Sequence, residues 1–182
     1  ISDPHGQVVA FGGRIIEKLD DVAKYINSAE TPIYKKGQLL YGIPLSRDAI
    51  KKAGETLLLE GYMDWLMLHR AGVQNALAGL GTALTPEQAR LLKRLTSRVT
   101  LLYDGDEAGQ KAMLRSTEIL LMQGLDVRAA VLPLEHDPDS FIIAEGTQAL
   151  RDLIAAAPTA LDYFIQRFAT INERIGANMA SS

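Results

Sequence analysis

With 182 residues, 47% of them hydrophobic and 23% charged, the chain has room for one full domain and a small satellite of ordinary globular composition. It has no cysteine, which excludes disulfides, thiolate zinc sites and cysteine nucleophiles, and its three histidines (His5, His69 and His136) are too scattered for a histidine metal centre. The net charge of −3 argues against a general nucleic-acid binder. Even so, basic residues crowd the first third at Arg14, Lys18, Lys24, Lys35, Lys36, Arg47, Lys51 and Lys52. No apolar run approaches a membrane span and no signal-peptide pattern opens the chain, so a cytoplasmic enzyme or binding domain is expected.

Taken in order, Val8 to Phe11 reads as a first strand, after which Gly12-Gly13-Arg14 bends the chain. Its position so near the start is what an excised piece of a larger sheet would show. Asp20 to Tyr41 is irregular, yet Tyr25, Tyr34 and Tyr41 argue against plain disorder. Ser46 to Gly54 reads as a short helix capped by Ser46 and ended by Gly54. Strands and helices then alternate. Thr56 to Leu59 is a buried strand ending at Glu60-Gly61, and Met63 to Ala71 is a helix. Asn75 to Ala78 is a short strand, followed by the loop Gly79-Leu80-Gly81-Thr82. Thr85-Pro86-Glu87-Gln88 is a capping box with proline in the first helical position. Val99 to Tyr103 is a strand, Glu107 to Met122 a helix, and Val127 to Leu132 a strand leading into a loop from Pro133 to Pro138. Ser140 to about Ile175 reads as helical, divided at Pro158, with Leu161, Phe164, Ile165 and Phe168 forming one core-facing stripe. The tail 176–182 has little to bury and is expected to fray. Such alternation predicts an α/β fold with a mostly parallel sheet covered on both faces.

The acids fall where such a sheet places its ligands. Glu60 ends one strand, Asp104 and Asp106 end another, and Asp137 and Asp139 lie just past a third. Asp64, four residues after Glu60, falls on the first turn of the next helix. Each acid also has a plainer reading. Asp104-Gly105-Asp106 can cap the following helix, Asp64 can be a favourable charge at a helix N-terminus, and Asp137-Pro138-Asp139 is ordinary turn composition. Together, six carboxylates on one rim repel unless cations hold them, and hard oxygen ligands favour Mg²⁺ or Mn²⁺ over zinc. Two or more such ions suit phosphoryl transfer.

Glu60-Gly61-Tyr62-Met63-Asp64 followed by Tyr103-Asp104-Gly105-Asp106-Glu107-Ala108-Gly109 resembles the TOPRIM signature of DnaG-type bacterial replicative primases. Phe11-Gly12-Gly13-Arg14, Lys24 through Thr31, Leu40-Tyr41-Gly42, Leu80-Gly81-Thr82 and Asp137-Pro138-Asp139 resemble that family in the family's order, so the likeness spans about Gly6 to Phe168. The resemblance implies a TOPRIM core at 55–139, a remnant of an amino-terminal basic α+β subdomain at 1–54 and a helical subdomain at 140–175. It also implies site roles. Glu60, Asp104 and Asp106 would be catalytic and metal-binding, with Asp64, Asp137 and Asp139 as further metal-lining acids. Arg14, Lys24, Tyr25 and Asn27 would guide template and nucleotide, and Gly81 and Thr82 would flank the nucleotide pocket. The implied activity is RNA primer synthesis from NTPs on a single-stranded DNA template. The family's zinc-binding and helicase-binding domains have no counterpart here, so the isolated chain is expected to prime weakly. Trp65 stands where the family more often has an aliphatic residue.

Three other readings remain at this level. A metal-dependent nuclease or other TOPRIM hydrolase needs the same acids. A haloacid-dehalogenase-like phosphatase also uses Asp-x-Asp after an apolar strand, although it usually has Thr or Val two places on, where this chain has Glu107-Ala108. A docking module without chemistry would show no metal-dependent activity.

Overall fold

The computed structural model describes residues 1–15, 25–134 and 136–180, with side chains as far as 170. Its centre is a four-stranded sheet of β3 (Glu55–Leu59), β4 (Ala76–Ala78), β5 (Arg98–Tyr103) and β6 (Asp126–Val131). The spatial order is β4-β3-β5-β6 and every pairing is parallel. Ahead of the sheet, β1 (Gly12–Arg14) and β2 (Tyr25–Asn27) form an antiparallel ribbon. The helices are α1 (Ile43–Ala53), α2 (Tyr62–Arg70), α3 (Pro86–Leu95), α4 (Glu107–Met122), α5 (Pro138–Ala155) and α6 (Ala160–Ala180). None of them is long and apolar enough to cross a membrane.

Strand alternation divides the core into two layers. Leu57, Leu59, Leu102 and Ala130 face Trp65 and Leu68 of α2 and Phe141 and Leu150 of α5. Leu58, Val99, Leu101 and Ala129 face Ile50 of α1, Leu92 of α3, Met113 and Leu120 of α4 and Phe164 of α6. Each buried leucine contributes about 1.5–3 kcal/mol of burial free energy, and the central strands have them on both faces. That is why β3 and β5 read as unbroken apolar runs.

Several boundaries depart from the sequence reading. Val8 to Phe11 is not a ladder strand: Val8 makes only an isolated bridge to Ser2, and Val8 and Phe11 are exposed. The strand lies at Gly12–Arg14 because Tyr25–Asn27 supplies its pairing partner. The first helix begins at Ile43, with Pro44 in its first turn, so Ser46 sits inside it and caps nothing. The buried Ser46 hydroxyl is instead 3.3 Å from Trp65 Nε1, which also donates to the Ala76 carbonyl at 2.7 Å. Part of the irregular stretch is anchored by α3. Gln88 donates to the carbonyls of Lys36 and Leu39, and Thr85 to that of Gly37. The α6 stripe is not core: Phe164 is buried, whereas Leu161, Ile165 and Phe168 are exposed. Among the described side chains of the helix, Ala160, Tyr163 and Phe164 meet the sheet layer.

Candidate metal and nucleotide site

The strand order sets the position of the site. From β3 the chain moves outward to β4, then returns to lay β5 on the other side of β3. Ligands of open parallel sheets bind at such a reversal, beyond the strand carboxyl ends. Glu60 follows β3 and Asp104 follows β5, so the switch point carries one acid from each central strand. A cleft of about 610 Å³ opens there, and Glu60, Asp64, Asp104 and Asp137 line it.

The acidic turn is shaped by close approach. A Cβ on Gly105 would lie 2.4 Å from the Pro133 carbonyl oxygen, and one on Gly109 would lie 2.3 Å from the Asp104 carbonyl oxygen. Glycine at both places lets the turn nest between the β6–α5 loop and the first turn of α4. The capping reading is also correct as far as it goes. Asp106 accepts from the Gly109 amide at 2.7 Å, and Asp137 accepts from the Ser140 amide at 2.7 Å within a capping box. Both acids therefore serve helix termini; Asp137 also lines the cleft, whereas Asp106 is exposed and is not among the lining residues.

Charge repulsion links the acids into two groups that share one member. Burial, then the Asp104 charge, pushes the Glu60 carboxyl up from its ordinary 4.5 to about 7. An Asp104 backbone hydrogen bond opposes that shift, and Asp106 adds to it. Burial, then Asp104, Asp137 and Asp139, raises Asp64 from 3.8 to about 7. Asp104 belongs to both groups. Two acceptor oxygens, Glu60 Oε1 and Asp139 Oδ1, are buried without a hydrogen-bond partner. Crowded, protonation-prone carboxylates with orphaned oxygens are the donor set that a hard divalent cation satisfies. Among the described residues no three His, Asp or Glu side chains already enclose a common ion position.

The remaining predicted residues spread around this rim. Tyr25 and Asn27 of the ribbon, with Gly81 and Thr82 of the β4–α3 loop, line the cleft. Asn27 is not purely a ligand contact: its Nδ2 donates to the Leu80 carbonyl at 3.0 Å and ties the ribbon to that loop. Arg14 is not among the lining residues; its guanidinium lies 5.8 Å from the centre of the Tyr25 ring, and Tyr25 meets Tyr62 edge-on at 6.1 Å. Lys24 lies outside the described residues. Sequence reasoning missed Arg115, which lines the cleft from α4 and draws the Glu60 carboxyl down. The signal for it was present, because Ala108, Ala112, Arg115 and Ile119 recur at helical spacing and all line the cleft.

A family model described as Toprim-like matches residues 57–142, and one described as DNA primase catalytic core, N-terminal domain, matches residues 1–47. A DNA primase from Aquifex aeolicus is 44% identical over 166 residues, covering 91% of this chain and 33% of the relative. The chain thus spans about a third or less of the length of the curated relatives it matches. The crystal structure of the zinc-binding and RNA polymerase domains of the Aquifex aeolicus primase superposes with a TM-score of 0.88 at 42% identity. It covers 96% of this chain and 43% of that one. A DnaG primase catalytic domain bound to single-stranded DNA superposes with a TM-score of 0.79 at 36% identity, covering 87% of this chain and 52% of that one.

Proposed function

The chain belongs to the DnaG-type DNA primase family, and from that premise we propose that it carries the nucleotidyl-transfer centre of an RNA primer synthase. In this reading a ribonucleotide 3′-hydroxyl attacks the α-phosphorus of an NTP on a single-stranded DNA template. The new P–O bond forms as pyrophosphate leaves. The observation that carries the reading is the pair Glu60 and Asp104-Gly105-Asp106 on adjacent strand ends at the switch point, with Asp104 shared electrostatically by both groups of acids. Bound Mg²⁺ or Mn²⁺, held by Glu60, Asp104 and Asp106 with Asp64, Asp137 and Asp139 around them, would supply charge neutralisation at the reacting phosphate.

The chain's own groups do the rest. Glu60, at the end of β3 on the cleft wall, is placed to accept the proton of the attacking hydroxyl. Arg115 supplies a positive charge on the cleft wall for the departing pyrophosphate. Tyr25 and Asn27 on one side, with Gly81 and Thr82 on the other, bound the space that nucleotide and template would enter. Arg14 and Lys24 belong to the basic segment that would meet template phosphates, so template and metals approach from opposite charges. On this assignment residues 1–54 form the basic subdomain, 55–139 the TOPRIM core and 140–175 a helical subdomain. Contact with a replicative helicase would fall to a part of the family's proteins outside these residues, and the reaction would take place in the cytoplasm.

The test is incubation with single-stranded template, NTPs and Mg²⁺, reading labelled primers, alongside calorimetric Mn²⁺ titration. Asp104→Asn is expected to lower synthesis by roughly 100-fold or more and to weaken Mn²⁺ binding well beyond Asp64→Asn. Equal losses in the two variants would contradict the central place given to Asp104. Degradation of the template strand in place of primer synthesis would favour a nuclease.

A further inference from the structure

The acidic turn is also held from α6, through a single side chain. Gln110, in the first turns of α4, donates from Nε2 to the Gly105 carbonyl at 3.1 Å and accepts at Oε1 from the Tyr163 hydroxyl at 3.2 Å. Both bonds are partly shielded from solvent. A primary amide both donates and accepts while staying neutral, so it can join a carbonyl to a hydroxyl without adding charge beside the acids. Tyr163 is itself steadied by its edge-on contact with Phe164, ring centres 5.1 Å apart, and Phe164 is buried in the layer beneath α6. On the other side, the Gly105 amide reaches the His136 carbonyl only at 3.4 Å. The shorter, side-chain tether is therefore the one that runs to α6.

We propose that Gln110 and Tyr163 are positioning residues for the Asp104-Gly105-Asp106 turn, so that docking of α6 aims the two carboxylates. The proposal deepens the metal-dependent reading above and rests on it. The turn needs such a tether because its own forces work against a fixed geometry. It contains glycine at its centre, and the carboxylates on either side of that glycine repel. Hydrogen bonds in series make a further demand on the data: losing the Tyr163 hydroxyl acts only through Gln110, so the two changes cannot be additive.

The experiment compares the wild-type chain with Tyr163→Phe, Gln110→Met and the double variant. Three quantities are read: Mn²⁺ affinity by calorimetry, metal-free amide exchange at Gly109, whose N–H caps onto Asp106, and the denaturation midpoint. Gln110→Met is expected to weaken Mn²⁺ binding by about 10-fold, the scale of groups that orient metal ligands without touching the metal. Gly109 exchange should rise, and the double variant should be no worse than Gln110→Met. A lower midpoint with unchanged Mn²⁺ affinity and unchanged Gly109 exchange would overturn the proposal in favour of a packing role. Additive losses would overturn the series arrangement and the proposal with it. A wild-type chain that binds no Mn²⁺ would overturn the metal-dependent reading, and the positioning role falls with it. Gly109 exchange, read without metal, then tells that failure from the loss of the tether.

Discussion

Asp104 is the residue on which the rim turns, because it is the one carboxylate that raises both Glu60 and Asp64. Those raised values carry a stability consequence with a definite sign. A carboxyl near 4 in the unfolded chain and near 7 in the fold binds its proton more tightly when folded. Stability is then highest below the unfolded value and falls as pH rises through about 7. For the metal-free chain, Asp64→Asn should therefore be stabilising relative to wild type at pH 8 and close to neutral at pH 4. Denaturant midpoints in chelator at the two pH values measure this. An equal difference at both would show that burial and the neighbouring acids do not hold Asp64 protonated. Added Mn²⁺ should reverse the ranking at pH 8, since cations stabilise the ionised acids that the substitution removes. At this scale the sequence offered the acids and their plain alternatives together; the cap is real for both Asp106 and Asp137, and Asp137 also lines the cleft.

At the scale of elements, the turn from β5 into α4 is held at several points. Asp106 caps the helix, Gln110 reaches back to the Gly105 carbonyl, and Gly109 presses against the Asp104 carbonyl. Gly109→Ala places a methyl where only 2.3 Å is available against backbone, so the turn must move. The expected cost is about 1–3 kcal/mol in a urea titration with unchanged slope, together with a loss of the proposed primer synthesis larger than that stability loss explains. An alanine variant with wild-type midpoint and activity would show that the turn yields cheaply. This element was legible in advance: the expected helix Glu107 to Met122 has the observed bounds, because its cap, its glycines and its apolar period all lie within its own residues. The Thr85 capping box was legible for the same reason. The first strand and the start of α1 were not. What decides β1 is its partner strand Tyr25–Asn27, and what occupies Ser46 is a tryptophan from another helix.

Across the whole molecule, α6 shows how periodicity stops short of packing. Leu161, Phe164, Ile165 and Phe168 have the spacing of one helical face, yet only Phe164 reaches the sheet layer. Phe164→Ala should cost about 3–5 kcal/mol and also loosen Tyr163, whereas Phe168→Ser should lie within about 0.5 kcal/mol of wild type. Thermal and urea denaturation of the two variants separate these outcomes. Similar losses for both would mean that the outer stripe is covered.

The sequence by itself determined the α/β alternation, the parallel sheet and the strand ends on which Glu60, Asp104 and Asp106 fall, and it raised metal-assisted phosphoryl chemistry as an expectation. Each of these follows from short-range period, caps and turn residues, which a linear chain displays directly. Only the tertiary structure decided that β3 lies beside β5, that Asp104 is therefore common to Glu60 and Asp64, that Asn27 ties the ribbon to the Leu80 loop, and that Tyr163 reaches the acidic turn through Gln110. These are meetings of residues tens of positions apart. They are set by strand order and by which helix face finds a layer to bury against, and no local pattern encodes them.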